Sequence, residues 1–250
     1  MIIHSYENGL RSDVCVQYVR DLDGPKAAEQ LFLLPIPSTR DNKTISGTNI
    51  DISSLIGVVD ASCMVVGYGL PNGIKKQIKA LGCPVHDVGE DEEFLCENAE
   101  LTAQATLGII LNTQGVSPSE LRVGIVGYGR IGKCLARLLL YLGASVRVYS
   151  SDAGKRLDLG EWGITTAQSA SGADISDLDI LVNTAPAVIF DTTSDVAVLE
   201  DLRVIDLASG DNFPTLTSVE KYPSIPSKMF PVSAGRAWGR SIERFIRSLE

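Results

Sequence analysis

Three glycines, Gly127, Gly129 and Gly132, stand between a β-rich run and an apolar-periodic run, and they carry the chain's sharpest chemical signal. Residues 122–126 read as a strand, 130–142 as an amphipathic helix stopped by Gly143, and 145–149 as a second strand. In that context a G-x-G-x-x-G turn suits a dinucleotide. The first glycine permits the sharp turn, the second lets backbone approach a pyrophosphate, and the third lets helix and strand pack closely. Gly127-Tyr128-Gly129-Arg130-Ile131-Gly132 would then set the positive end of the helix against the anion. A bare packing turn is the alternative reading.

The end of the second strand bears on which dinucleotide is taken. An NAD site places a carboxylate about 20 residues after the first glycine, on the ribose hydroxyls. Here the strand runs out into Ser150 and Ser151, with Lys155 and Arg156 following and no carboxylate before Asp152. Hydroxyls and cations suit a 2′-phosphate, so NADP is the preferred cofactor. NAD stays open if the strand reaches Asp152.

Further polar residues follow apolar runs. Ser38, Thr39 and Arg40 come just after the run 31–36, where open α/β sheets place ligands; a solvated connection is the equal alternative. A second glycine-rich turn, 67–73, includes Gly69 and could hold an anion, but reads first as a tight turn at a sheet edge. Asp206 ends another apolar run, and Arg236 lies beyond the last predicted strand as a rival cation to Arg40.

Composition limits the partners. The chain has 250 residues, 44% hydrophobic content and a formal net charge of −9, which argues against nucleic acid and anionic membranes as partners. Any anionic ligand must be held by locally placed cations and amides. The N-terminal residues lack the basic and apolar regions of a signal peptide, and no run approaches a membrane span. Five cysteines without a C-x-x-C pair suggest reduced thiols and a cytoplasmic setting. His4 and His86 are isolated, so no metal site is expected.

The elements that must position these groups alternate. Strands are expected at 2–6, 14–19, 31–36, 63–67 and 84–88, with a helix between 71 and 81. Residues 94–112 form a helix that begins polar, with Glu97, Asn98, Glu100, Thr102 and Gln104, and ends apolar, as one leaving a cleft for a core would. Further strands are expected at 179–183, 202–207 and 228–232, and a last helix at 234–249. This predicts an α/β fold: a doubly wound parallel (Rossmann) sheet preceded by a smaller α/β domain. The divisions are 1–97, a connecting helix at 98–115, and 116–250 including the C-terminal helix.

The glycine turn, its leucine-rich helix and Leu142-Gly143-Ala144 resemble the cofactor domain of D-isomer-specific 2-hydroxyacid dehydrogenases. Within that group the chain is more similar to the family of the dipicolinate synthase A chain. The matching pieces are Leu34-Pro35-Ile36-Pro37-Ser38-Thr39, the strand and turn at 65–69, and Asn98-Ala99 with Thr102 and Gln104. They continue with the glycine turn, Val182-Asn183-Thr184-Ala185-Pro186, Val204-Ile205-Asp206-Leu207-Ala208-Ser209 and Ser233-Ala234-Gly235. The resemblance implies a pyridine-nucleotide oxidoreductase acting on a small cyclic carboxylate in an interdomain cleft. It also implies a second, flavoprotein-like subunit, and a homo-oligomer is expected. On it, Ser38, Thr39 and Arg40 would hold a substrate carboxylate, and Thr102 and Gln104 would face the cleft. Thr184, Ala185, Pro186, Ala208 and Ser209 would line the nicotinamide. The chain departs from the pattern in three ways: the family's first βα unit with its Gly-Gly-Asp turn is abbreviated or absent, Gln104 replaces a glutamate, and no histidine follows His86. Proton carriers are then sought among Glu97, Glu100, Asp206 and Tyr68. A nucleotide-binding subunit or sensor that has kept the fold and lost the chemistry is the competing reading.

Overall fold

The structure is a computed structural model that describes residues 1–22, 28–113, 115–161, 164–168, 170, 175–186, 202–210, 212–213 and 218–249. The chain divides into two compact units, Met1–Asn98 with Phe230–Glu250, and Ala99–Met229.

The first unit carries a parallel sheet of order β1-β2-β3-β4, from Ile2–Ser5, Gln30–Leu33, Cys63–Gly67 and Val85–Asp87. Its middle strands are apolar at consecutive positions because both faces are covered. Leu31, Leu33, Met64 and Val66 point to one core, and Phe32, Leu34, Cys63 and Val65 to the other. Helix α1 is Leu10–Arg20 and α2 is Asn72–Ala80. The strand expected at 14–19 is thus the second half of α1. Its β-branched valines suggested a strand, but burial falls on Arg11, Cys15 and Val19, four residues apart, so packing overrides propensity.

The second unit begins with α3, Glu92–Thr113, whose first turns belong to the first unit. Its six-stranded sheet has the order β10-β9-β8-β5-β6-β7, all parallel. The strands are β5 Arg122–Val126, β6 Ser145–Tyr149, β7 Thr165–Ala167, β8 Ile180–Asn183, β9 Arg203–Asp206 and β10 Glu220–Lys221. Renumbered within the sheet this is 6-5-4-1-2-3, the doubly wound order, with its switch point between β5 and β8. Helix α4 is Arg130–Tyr141 and α5 is Ala153–Glu161. Val123, Ile125, Val146, Val148, Ile180, Val182 and Ile205 share one core with Leu135 and Leu139 of α4.

The strand expected at 228–232 does not form. Its residues close α6, Ile225–Met229, and open α7, Pro231–Ser248. Pro231 has no N–H for a ladder, and its fixed φ suits the first turn of a helix. The C-terminal helix was expected with the second domain but belongs to the first unit. Ala237, the fully buried Trp238 and Ile242 complete the core formed by Cys15, Val19, Leu31 and Met64. Gly239 permits the approach, since a Cβ there would lie 2.6 Å from the Tyr18 ring of α1. A charged network seals the same helix. His86 Nε2 lies 2.8 Å from Ser241 Oγ, and the Ser241 hydroxyl and Arg244 both donate to Asp91. With the Ser241 proton given to Asp91, His86 must donate from Nε2, which fixes its tautomer.

Candidate functional site

At the C-terminal end of β5 the three glycines meet three different constraints. Gly127 has φ +92°, and a Cβ there would lie 2.8 Å from Thr184 Oγ1. Gly132 is buried, and a Cβ there would collide with the carbonyl oxygen of Gly127. Gly129 has φ −82° and open space where a Cβ would project. The first and third positions are therefore demanded by the fold, whereas the second leaves room that internal packing does not require.

Gly129 is also the N-cap of α4. The first N–H groups of a helix have no intrahelical acceptor, and the dipole adds partial positive charge. Arg130 and Lys133 are exposed nearby, and the Lys133 ammonium sits 5.5 Å from the Tyr128 ring centre. These are the local cations a chain of net charge −9 needs to hold an anion. An open cradle at a helix N-terminus, at the switch point of a doubly wound sheet, fits a dinucleotide pyrophosphate.

Strand β6 ends at Tyr149, as expected. Ser150 is buried, and its Oγ accepts the Asp152 N–H at 3.3 Å. The Arg156 guanidinium folds back onto the Ser150 carbonyl. Asp152 caps α5 through the Lys155 N–H, lies 3.5 Å from the Lys155 ammonium, and titrates below the usual carboxylate range because of those contacts. The first carboxylate to follow this strand is therefore engaged with α5.

On the other side of the switch point, Thr184 Oγ1 donates to the Val126 carbonyl at 2.9 Å and ties β8 to β5. Ala185, Pro186, Ala208 and Ser209 follow the ends of β8 and β9 and are half-buried or exposed. Asp206 is buried, and its oxygens receive hydrogen bonds from Asn183 Nδ2 at 2.8 Å, the Ala208 N–H at 3.2 Å and Asn212 Nδ2 at 3.2 Å. These donors engage both of its oxygens. The sequence reading assigned Asn183 no role beyond its motif and did not single out Asn212. The signal available for Asn183 was an amide at the last position of a buried strand.

The groups expected to hold substrate are less free than the sequence suggested. Ser38 is fully buried; its Oγ donates to the Pro35 carbonyl and accepts the Tyr68 N–H at 2.7 Å. The Thr39 hydroxyl donates to Asp41, which also accepts the N–H groups of Lys43 and Thr44 and titrates far below its ordinary value, chiefly because of those backbone bonds. Arg40 and Arg236 are both exposed in the first unit. Thr102 is buried and Gln104 exposed, because residues two apart lie on opposite sides of a helix; they cannot face one cleft together. Glu97 is engaged by Arg240, and Glu100 is exposed.

The second glycine-rich turn does hold an anion, supplied by the chain itself. Asp87, at the end of β4, accepts the N–H groups of Gly69 at 2.8 Å, Leu70 at 3.1 Å and Gly89 at 3.0 Å, and the Lys75 ammonium at 3.2 Å. Lys75 also reaches Glu90, and these two bonds raise its affinity for its proton. A cavity of about 500 Å³ beside this turn is lined by Asn42, Tyr68, Asn72 and Lys75, among others. Gly69 thus has no N–H to offer a ligand.

Residues 99–188 match the profile of the D-isomer specific 2-hydroxyacid dehydrogenase NAD binding domain. The dipicolinate synthase A chain of Bacillus subtilis (strain 168) is 22% identical over 169 residues, which cover 64% of this chain and 57% of that protein. The match thus spans little more than half the length of that relative. The crystal structure of the corresponding dipicolinate synthase chain from Bacillus halodurans superposes with a TM-score of 0.73 at 20% identity, covering 98% of this chain and 96% of that one. The crystal structure of the Bacillus subtilis A chain gives 0.73 at 16% identity, covering 99% and 95%. The resemblance read from the sequence is borne out, and so is the Rossmann-type α/β fold. The profile match supports a nicotinamide cofactor and leaves NAD and NADP open. Among the described residues no helix is long and apolar enough to cross a membrane.

Proposed function

We propose that this chain is a nicotinamide-dependent oxidoreductase similar to the dipicolinate synthase A chain, that it prefers NADP, and that its substrate is a small cyclic carboxylate. The observation that carries the reading is the division among the three glycines, with internal packing demanding two of them and space left open at Gly129. The turn at residues 127–132 binds the pyrophosphate, Ser150, Ser151 and Lys155 receive the 2′-phosphate, and the residues after β8 and β9 line the nicotinamide. Bound there, the cofactor supplies hydride exchange. The chain's own residues bind and orient. Arg40 offers a forked pair of donors for a substrate carboxylate, with Arg236 as the second cation. His86 is engaged in the α7 network, which leaves the exposed Glu100 and the half-buried Tyr68 as candidate proton carriers. The test is turnover of NADPH with a panel of cyclic imino and 2-keto dicarboxylates. Saturable oxidation of NADPH by one class supports the reading; cofactor binding without turnover across the panel overturns it.

That second outcome belongs to a rival reading, a nucleotide-binding subunit without chemistry. One observation favours it: Ser38, Thr39, Gly69 and Asp206, all expected at the reacting end, spend their polar groups on internal hydrogen bonds.

A further inference from the structure

Two strands flank the far side of the switch point, and each ends on a residue that turns its own loop. Asn183 closes β8 and accepts the N–H of Ala185 at 3.0 Å; Asp206 closes β9 and accepts the N–H of Ala208 at 3.2 Å. The side-chain hydrogen bond from Asn183 Nδ2 to Asp206 Oδ1 at 2.8 Å couples the two turns, beside the backbone bond from the Leu207 N–H to the Asn183 carbonyl at 3.0 Å. Asn212 returns from the far end of the β9 loop to donate to both Asp206 oxygens. N–H donors reach both oxygens of the Asp206 carboxyl, so each acts as an acceptor, as the oxygens of a carboxylate do. Among the described residues it makes no ion pair, and every donor it receives is neutral. Lys221, its register neighbour on β10, is exposed. A carboxylate that is 2% exposed with neutral partners leaves a net negative charge inside the end of the sheet.

Its place gives that charge a purpose. In a doubly wound sheet the adenosine half lies over the second strand, here β6 with Ser150, and the pyrophosphate lies over the first loop. The nicotinamide half therefore lies toward β8 and β9. The nicotinamide ring carries a positive charge when oxidised and none when reduced.

We propose that Asp206 is a positioning residue that joins the two nicotinamide-side loops and, through its buried charge, makes this site favour the oxidised cofactor. The inference rests on the reading of the second unit as a dinucleotide site. Its charge effect falls on one redox form alone, which a merely structural role does not produce.

The experiment is calorimetric titration of the wild type, Asp206→Asn, and the exchanged pair Asn183→Asp with Asp206→Asn. Three probes are used: NADP⁺, NADPH and 2′-phospho-ADP-ribose, which lacks the nicotinamide. Asp206→Asn is expected to weaken NADP⁺ about tenfold, to weaken NADPH no more than about threefold, and to leave 2′-phospho-ADP-ribose unchanged. The exchanged pair keeps one negative charge and the inter-strand hydrogen bond, so it is expected to restore the wild-type ratio of NADP⁺ to NADPH affinity. An unchanged ratio in Asp206→Asn, or loss of the oxidised preference in a folded exchanged pair, overturns the inference. Equal weakening of all three probes also overturns it, since that is the signature of a fold defect. If the wild type binds none of the three probes, the underlying dinucleotide reading itself fails.

Discussion

Replacing Gly129 by aspartate should move fold stability and cofactor affinity in opposite directions. The residue is the N-cap of α4, its φ of −82° and ψ of −164° suit any side chain, and nothing lies within 4 Å of the new Cβ. Aspartate is among the best N-cap residues and glycine only moderate, so the ligand-free protein should gain a few tenths to ~1 kcal/mol. The same carboxylate occupies the cradle and faces the pyrophosphate. At ~5 Å and an effective dielectric of ~20, each pair of unit charges repels by roughly 3 kcal/mol, a loss of more than about 100-fold in affinity. Gly132→Ala should show a different pattern. Its Cβ would collide with the Gly127 carbonyl, so the fold itself should lose ~1–3 kcal/mol. Urea denaturation of the ligand-free proteins, paired with calorimetric titration of NADP⁺, measures both quantities. The reasoning is refuted if Gly129→Asp binds NADP⁺ within threefold of wild type, or if it costs more than ~1 kcal/mol of stability.

Three further outcomes are expected. Ser150→Asp should shift preference from NADP toward NAD by ~1–3 kcal/mol, because a carboxylate suits a ribose diol and repels a 2′-phosphate; an unchanged ratio of the two affinities removes Ser150 from the 2′ side. Arg40→Lys should leave NADP affinity intact and weaken the substrate by about tenfold, ~1.4 kcal/mol; a change in cofactor affinity alone would show that the two units divide their work differently. Burial holds His86 below its ordinary proton affinity against the opposing pull of Asp91 and Asp87. Its contribution to stability is therefore complete above about pH 6.5 and is lost as the pH falls from there through the folded value. The urea midpoint should drop more between about pH 7.5 and 5.5 in the wild type than in His86→Gln, and equal drops would show that His86 is not the responsible group.

The second unit was readable in the sequence because several signals there agree. The glycine spacing, the leucine period of α4 and the apolar strands all specify one βαβ arrangement, and β5, β6, β8 and β9 each bear apolar residues on both faces. Two places misled, where local and tertiary preferences diverge. The valines of α1 favour a strand, and only the i, i+4 burial of Cys15 and Val19 against α7 makes them helical. The run from Lys228 to Val232 is apolar enough for a strand, but Pro231 turns it into a helix start. At the candidate site, residue types singled out loops but could not show where their hydrogen bonds go. Ser38 and Thr39 carry hydroxyls suited to a carboxylate, yet Tyr68 and Asp41 already engage them. Asp87 fills a turn 18 residues away in sequence, a contact no local pattern encodes.

The central claim is that the turn at residues 127–132 holds the pyrophosphate of a nicotinamide dinucleotide. A crystal structure of this protein with NADP⁺ tests it most directly. The predicted result places phosphate oxygens at ~2.8–3.2 Å from the backbone N–H groups that open α4, with the 2′-phosphate beside Ser150 and Lys155. A dinucleotide seated elsewhere, or absent from crystals grown at millimolar NADP⁺, would contradict it.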